Sequence, residues 1–167
     1  NAIFDGTDAV MLSEESTLGK YPVEAVKMMT RIAETVEASL PKREDVAMSV
    51  VDTISTSCVE TAGHIGAVAI VSLTESGASA QMIARFKPSC PIIALSPNQV
   101  TVERLTLTRG VYPFLATAGK TTDDVIAFVS NFLSENKLAK AGDRIVITAG
   151  LEFGVVGSTN MLCVITL

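Results

Sequence analysis

From residue 67 onward the chain alternates short, continuous apolar runs with amphipathic helical segments, and few folds accommodate that alternation. AVAIVSL (67–73), PIIALS (91–96), VYPFLA (111–116) and DRIVITAG (143–150) are the apolar runs. SAQMIARF (79–86), the stretch QVTVERLTL and TTDDVIAFVSNFLSENKLA (121–139) lie between them and predict helices. Strands that are apolar on both faces belong to parallel sheets covered by helices on both sides. Pro113 weakens the third run as a central strand. The last run, MLCVITL (161–167), follows too closely for a crossover helix and is expected to pair antiparallel with 143–150. The fold class is therefore α/β: a mostly parallel sheet with helices on both faces and an antiparallel C-terminal edge strand.

The first 41 residues do not fit that sheet. DAVML (8–12) is a short apolar run between polar turns, which suits a buried strand. Pro22 sits where a first helical position would be, and Val23, Val26, Met28, Met29, Ile32, Ala33 and Val36 recur at helical spacing up to Leu40-Pro41. The polar connector PKREDVAMS then separates this helix from a second, expected over about 45–62, with Val46, Val50, Ile54, Cys58 and Ala62 on one stripe. Residues 1–41 are thus read as one unit and 42–167 as another. The opening strand and helix find no partner in this sequence and are expected to be covered by neighbours it does not supply.

Composition narrows the function classes. The 167 residues are 48% hydrophobic and 19% charged, with a net charge of −5, no Trp and no dense block of Lys or Arg. Binding to a phosphate backbone needs a basic face, so nucleic acid is not an expected partner. No apolar run approaches the roughly 18 residues of a membrane span, and no basic flank with a long apolar segment opens the chain, so no membrane partner is expected either. Cys58, Cys90 and Cys163 are odd in number and widely spaced, and His64 is the sole histidine. No C-x-x-C or H-E-x-x-H pattern arises, so no metal site is expected, and the thiols read as reduced groups of a cytoplasmic protein. His64 is expected to cap the C-terminal end of its helix, and Asp123-Asp124 to sit at a helix start where the macrodipole favours acids. A dinucleotide fold is disfavoured, because no G-x-G-x-x-G follows a strand.

Ligands of parallel α/β sheets bind beyond the carboxyl ends of the strands, and two loops there are informative. SLTESGASAQ (72–81) offers the hydroxyls of Thr74, Ser76 and Ser79, with Gly77 permitting a close turn before the helix. Backbone N–H groups at such a helix start suit an anion, and a phosphate ester is the natural guest. Ordinary N-capping explains the same residue types equally simply. TAGLEFGVVGSTN (148–160), with Gly150, Gly154 and Gly157, reads either as a flap over that ligand or as a hairpin-like connection whose glycines take positive φ. No nucleophile, base and orienting group can be assembled into a self-sufficient active site.

Several stretches together resemble the C-terminal part of the pyruvate kinases: NAIFDGTDAVMLSEESTLGKYPVEAV, LTESGASAQMIARFKPSCPIIAL, and then RGVYP, AGDRIVITAG and GSTN in the family's order. The resemblance covers essentially the whole chain. It implies that 8–12 is the eighth strand of a (β/α)8 barrel, that 22–38 is its final helix, and that the first seven strands lie outside this sequence. From about residue 42 it implies the family's separate C-terminal domain, which packs at a subunit interface of a homotetramer and in many members binds a phosphorylated allosteric effector. The implied activity of the complete enzyme is phosphoryl transfer from phosphoenolpyruvate to ADP with Mg2+ and usually K+. The catalytic lysine and the ligands of both metals lie on earlier barrel strands, so this chain alone is expected to be inactive and to bind no cofactor itself. Ser13 is similar to a serine at the rim of the family's active site, proposed in the proton relay to the enolate. Glu15 matches the family acid, while Glu14 stands where Gly is usual and Ser16 where Thr is common. Thr74, Ser76, Gly77 and Ser79 match the effector-phosphate loop, and Gly157, Ser158 and Thr159 lie in the expected flap. Ala78 replaces a frequent Arg, Lys or Thr, and Asn136 falls where bisphosphate-activated members carry arginine. A sugar monophosphate or AMP is therefore the expected effector. The alternative is a stand-alone module that binds a phosphometabolite without any barrel.

Overall fold

A computed structural model describes residues 1–40, 49–119, 121–150 and 157–167. The chain divides into two compact units, Asn1–Arg43 and Glu44–Leu167.

In the first unit a single turn, α1 (Glu14–Thr17), precedes a long helix, α2 (Pro22–Glu37). Pro22 occupies the start of α2 as expected, because its missing N–H would have no helical partner there anyway. The run 8–12 is a correction: among the described residues it forms no strand, and Met11 is 87% exposed. A strand exists only through the N–H and C=O groups of a neighbour, and apolar patterning without such a neighbour leaves extended, unpaired chain. The same reasoning applies to α2. Its periodicity does produce a helix, yet Val23, Val26, Met28 and Ile32 are all exposed and no residue of α2 is buried.

The second unit runs α3 (Val50–Ile65), β1 (Ala69–Leu73), α4 (Ala78–Arg85), β2 (Ile92–Ser96), α5 (Gln99–Leu105), β3 (Val111–Leu115), α6 (Thr122–Glu135), β4 (Arg144–Gly150) and β5 (Thr159–Thr166). The strands form one five-stranded sheet in the order β3-β2-β1-β4-β5. The pairs β1/β2, β1/β4 and β2/β3 are parallel, and β4/β5 is antiparallel. This is the α/β sheet that the alternating pattern implies. Pro113 is tolerated because β3 is an edge strand, where a missing backbone donor leaves no central ladder broken.

Both faces of the sheet are covered, and alternate residues of each strand go to opposite sides. On one face Ile70, Ile92, Ala94 and Val146 pack with Cys58 and Ala62 of α3, Ala80 and Ile83 of α4, and Leu105 of α5. On the other, Val71, Ile93, Leu95, Ile145 and Ile147 pack with Val125, Val129 and Leu133 of α6. The rings of Phe114 and Phe132 meet edge to face at 5.3 Å along that side.

Helix boundaries differ from the sequence expectation where local chemistry overrides periodicity. The expected start of α3, with Val46, falls outside the described residues; Ser49 caps the helix by accepting from the Asp52 N–H at 3.1 Å. Its buried stripe is Ser55, Cys58 and Ala62, whereas Val50 is 66% exposed. The helix continues to Ile65 and is stopped by Gly66 at φ +62°. His64 is therefore an exposed residue of the last turn, and Gly66 supplies the cap that was expected of His64. The helix α6 ends at Glu135, short of residue 139, because Lys137 takes φ +57°. At its start Thr121 and Asp124 exchange side-chain and backbone bonds, so Asp124 is a capping partner as well as a charge in the helix dipole. Asn136 caps the other end and donates its amide to the Phe132 carbonyl at 2.8 Å. None of the described helices is long and apolar enough to cross a membrane.

Candidate functional site

Strand order places the site before any side chain is considered. From β1 the chain moves outward through β2 to β3, then returns to the other side of β1 with β4. The carboxyl end of β1 is thus the topological switch point, where adjacent loops diverge and leave a crevice. The loop there is Thr74–Gly77, leading directly into α4.

Thr74 is buried, and its hydroxyl accepts the Gly77 N–H at 3.0 Å, which closes the loop on itself. Gly77 takes φ +88° and serves as the N-cap of α4. Ser76 and Ala78 are exposed on either side of it. The first N–H groups of an α-helix have no partner within the helix, and here they open at the carboxyl end of a central strand. Ser79, in the first turn, is 7% exposed and lies 2.5 Å, oxygen to oxygen, from the Thr159 hydroxyl, itself 7% exposed. Two hydroxyls sharing one hydrogen bond leave one O–H proton to give to a ligand. Neighbouring loops brace the turn. Thr101 of α5 donates to the Glu75 carbonyl at 2.8 Å, and Ser96, at the end of β2, reaches the same oxygen at 3.4 Å.

The second expected element is only partly within the described residues. Residues 151–156, including Gly154, lie outside them. Gly157 takes φ +82°, and β5 starts at Thr159, two residues earlier than the apolar run suggested. The β4/β5 ladder shifts register between Ala149 and Gly150, and any Cβ on Gly150 would collide with the Ser158 side chain. Thr148 stitches the two strands by donating to the Met161 carbonyl at 2.9 Å. The start of β5 is thereby held against α4 through Thr159, so Thr74, Gly77, Ser79 and Thr159 form one group around the turn.

Ser13 belongs to the other unit. It is exposed, it precedes α1, and its N–H donates to the Glu15 carboxylate at 3.0 Å. Backbone N–H groups of Glu15 itself and of Ser13 hold that carboxyl below its usual range. Burial pushes the Cys58 thiol up to about 11, with the Thr148 side chain opposing weakly, and raises Cys90 as well. The cysteines are free thiols. Among the described residues no group of three or more His, Cys, Asp or Glu side chains could hold a metal ion.

Sequence reasoning missed the braces. Ser96, Thr101 and Thr148 lay inside segments read only for their apolar period, although Thr101 and Leu105 stand four apart on one face of a short helix and both are buried.

These features define an α/β domain with a hydroxyl-lined turn at the switch point of its sheet. Residues 52–165 match the family model described as the pyruvate kinase alpha/beta domain. The chain is 43% identical to a pyruvate kinase of Geobacillus stearothermophilus, over 97% of its own length and 29% of that protein. It is 38% identical to the pyruvate kinases of Clostridium perfringens, over 97% of the chain and 36% of that protein, and of Dictyostelium discoideum, over 99% and 35%. The chain belongs to the pyruvate kinase family, and it spans about a third of the length of these relatives.

Proposed function

We propose that this chain is the C-terminal part of a pyruvate kinase and that its second unit is the regulatory domain, which binds a phosphorylated metabolite at the β1–α4 turn. The observation that carries this reading is the arrangement at that turn: a left-handed Gly77, a helix N-terminus, and the buried Ser79–Thr159 hydroxyl pair converge at the switch point. Oriented N–H and O–H donors of this kind suit phosphoryl oxygens. The named site residues Thr74, Ser76, Gly77, Ser79 and Thr159 include no cation, and the loop carries Glu75. That charge balance favours a monophosphate, such as a sugar phosphate or AMP, over a bisphosphate.

In the complete enzyme, phosphoryl transfer from phosphoenolpyruvate to ADP, with its Mg2+ and K+, would rest on barrel residues beyond this chain, and Ser13 would stand at the rim of that site. A homotetrameric, cytoplasmic enzyme is part of the same proposal. Calorimetry of the full chain with sugar monophosphates and AMP tests the effector reading. Ser76 is exposed, so Ser76→Ala removes a ligand contact with little structural cost. Loss of one hydrogen bond to a charged group weakens binding by roughly 1–3 kcal/mol. Absence of saturable heat with every phosphorylated compound defeats the effector reading, and turnover of phosphoenolpyruvate and ADP by this chain alone defeats the reading as a part of a larger enzyme.

A further inference from the structure

We propose that Thr101 is the positioning residue that aims the β1–α4 turn; this rests on reading that turn as the phosphate site. Thr101 lies on α5, outside the turn, and is 5% exposed. Two different parts of its side chain act on two adjacent peptide units. Its Oγ1 donates to the Glu75 carbonyl at 2.8 Å. Its methyl carbon lies 3.3 Å from where a Cβ on Gly77 would stand, beside the Leu105 side chain at 3.1 Å.

The hydroxyl sets a direction. Among the described residues no peptide bond is cis, so the Ser76 N–H points opposite to the Glu75 carbonyl. Holding that carbonyl on α5 turns the Ser76 N–H away from α5, and Ser76 is an exposed residue. The second contact to the same oxygen, from Ser96 at 3.4 Å, is longer and weaker, so Thr101 dominates the orientation. The methyl sets a wall. It backs Gly77 at φ +88°, while the Oγ1 bond, by fixing the preceding peptide, keeps the Gly77 N–H on Thr74 in the conformation that starts α4.

Threonine carries donor and methyl on one Cβ, so two substitutions separate the roles. Thr101→Val keeps the shape and removes the donor; Thr101→Ser keeps the donor and removes the methyl. The probe is inorganic phosphate, titrated into the full chain and followed by amide NMR, alongside thermal denaturation and exchange of the Gly77 amide proton. Thr101→Val is expected to weaken phosphate binding at least fivefold and to speed Gly77 exchange, whereas Thr101→Ser stays within twofold of the parent in affinity despite a lower Tm. Equal affinities in parent, Thr101→Val and Thr101→Ser, with only Tm changing, overturn the proposal, as does an equal loss in both variants. Should the parent bind no phosphate, the phosphate reading fails by itself and Gly77 exchange still decides. Faster exchange in Thr101→Val than in Thr101→Ser sustains the positioning role, and equal rates in the two overturn it.

Discussion

Gly77→Ala is the sharpest perturbation of the turn, and its cost can be worked from two separate contributions. The backbone sits at φ +88°, a region where a side chain costs roughly 1–2 kcal/mol. An added Cβ would also meet Leu105 Cδ2 at 3.1 Å, Leu105 Cγ at 3.2 Å and Thr101 Cγ2 at 3.3 Å. Leu105 and Thr101 are buried, so they cannot swing into solvent, and overpacking of that kind costs about 1–3 kcal/mol. The expected total is roughly 2–5 kcal/mol. Gly66→Ala is the matched control. Gly66 has φ +62° but nothing within 4 Å of an added Cβ, so it should cost only the backbone contribution, about 1–2 kcal/mol. Urea unfolding followed by far-UV circular dichroism measures both, because the chain has no Trp to report by fluorescence. For a chain of this length each kcal/mol corresponds to about 2–4 °C in Tm. A Gly77→Ala protein within about 0.5 kcal/mol of the parent, or no less stable than Gly66→Ala, refutes the packing described around the turn.

Two further outcomes follow from the same site. A double-mutant cycle of Ser79→Ala and Thr159→Val should give a coupling energy of about 0.5–1.5 kcal/mol, because the pair shares a buried hydrogen bond; strict additivity contradicts it. Cys58 is fully buried with its thiol pushed up to about 11, so the native state keeps a proton that the unfolded state releases above its ordinary value of 9.0. Stability should therefore be indifferent to this group below about pH 9 and fall between about pH 9 and 11, by roughly 2–3 kcal/mol at most. The variant Cys58→Ala should be less stable overall yet show a flatter slope across that window. An unchanged slope contradicts the burial argument.

The sheet was legible because its strands carry their environment in their residues: Ile70, Val71, Ile92, Ile93, Val146 and Ile147 face both ways into apolar layers, so no polar alternation interrupts them. The antiparallel last pair followed from linker length alone. Helix ends were less legible, since they depend on single backbone conformations such as those of Gly66 and Lys137, which composition does not announce. The run 8–12 misled for a deeper reason. Its apolar residues encode a preference for a partner, and secondary structure of that kind is not a local property. At the site, Thr74, Ser76, Gly77 and Ser79 were visible as a hydroxyl-rich turn, and Ser13 only through family likeness. Thr101 and Ser96 were hidden, because hydroxyls that brace a loop look like ordinary cap or core residues until the fold brings them 26 and 21 positions back along the chain to Glu75.

The most direct test of the regulatory reading is an amide NMR titration of the full chain with inorganic phosphate. Saturable shifts confined to Ser76 through Ala80 and to Thr159, lost in Ser76→Ala, are the predicted result. Shifts that fail to saturate, or that scatter over surface Lys and Arg residues and leave that turn unmoved, contradict it.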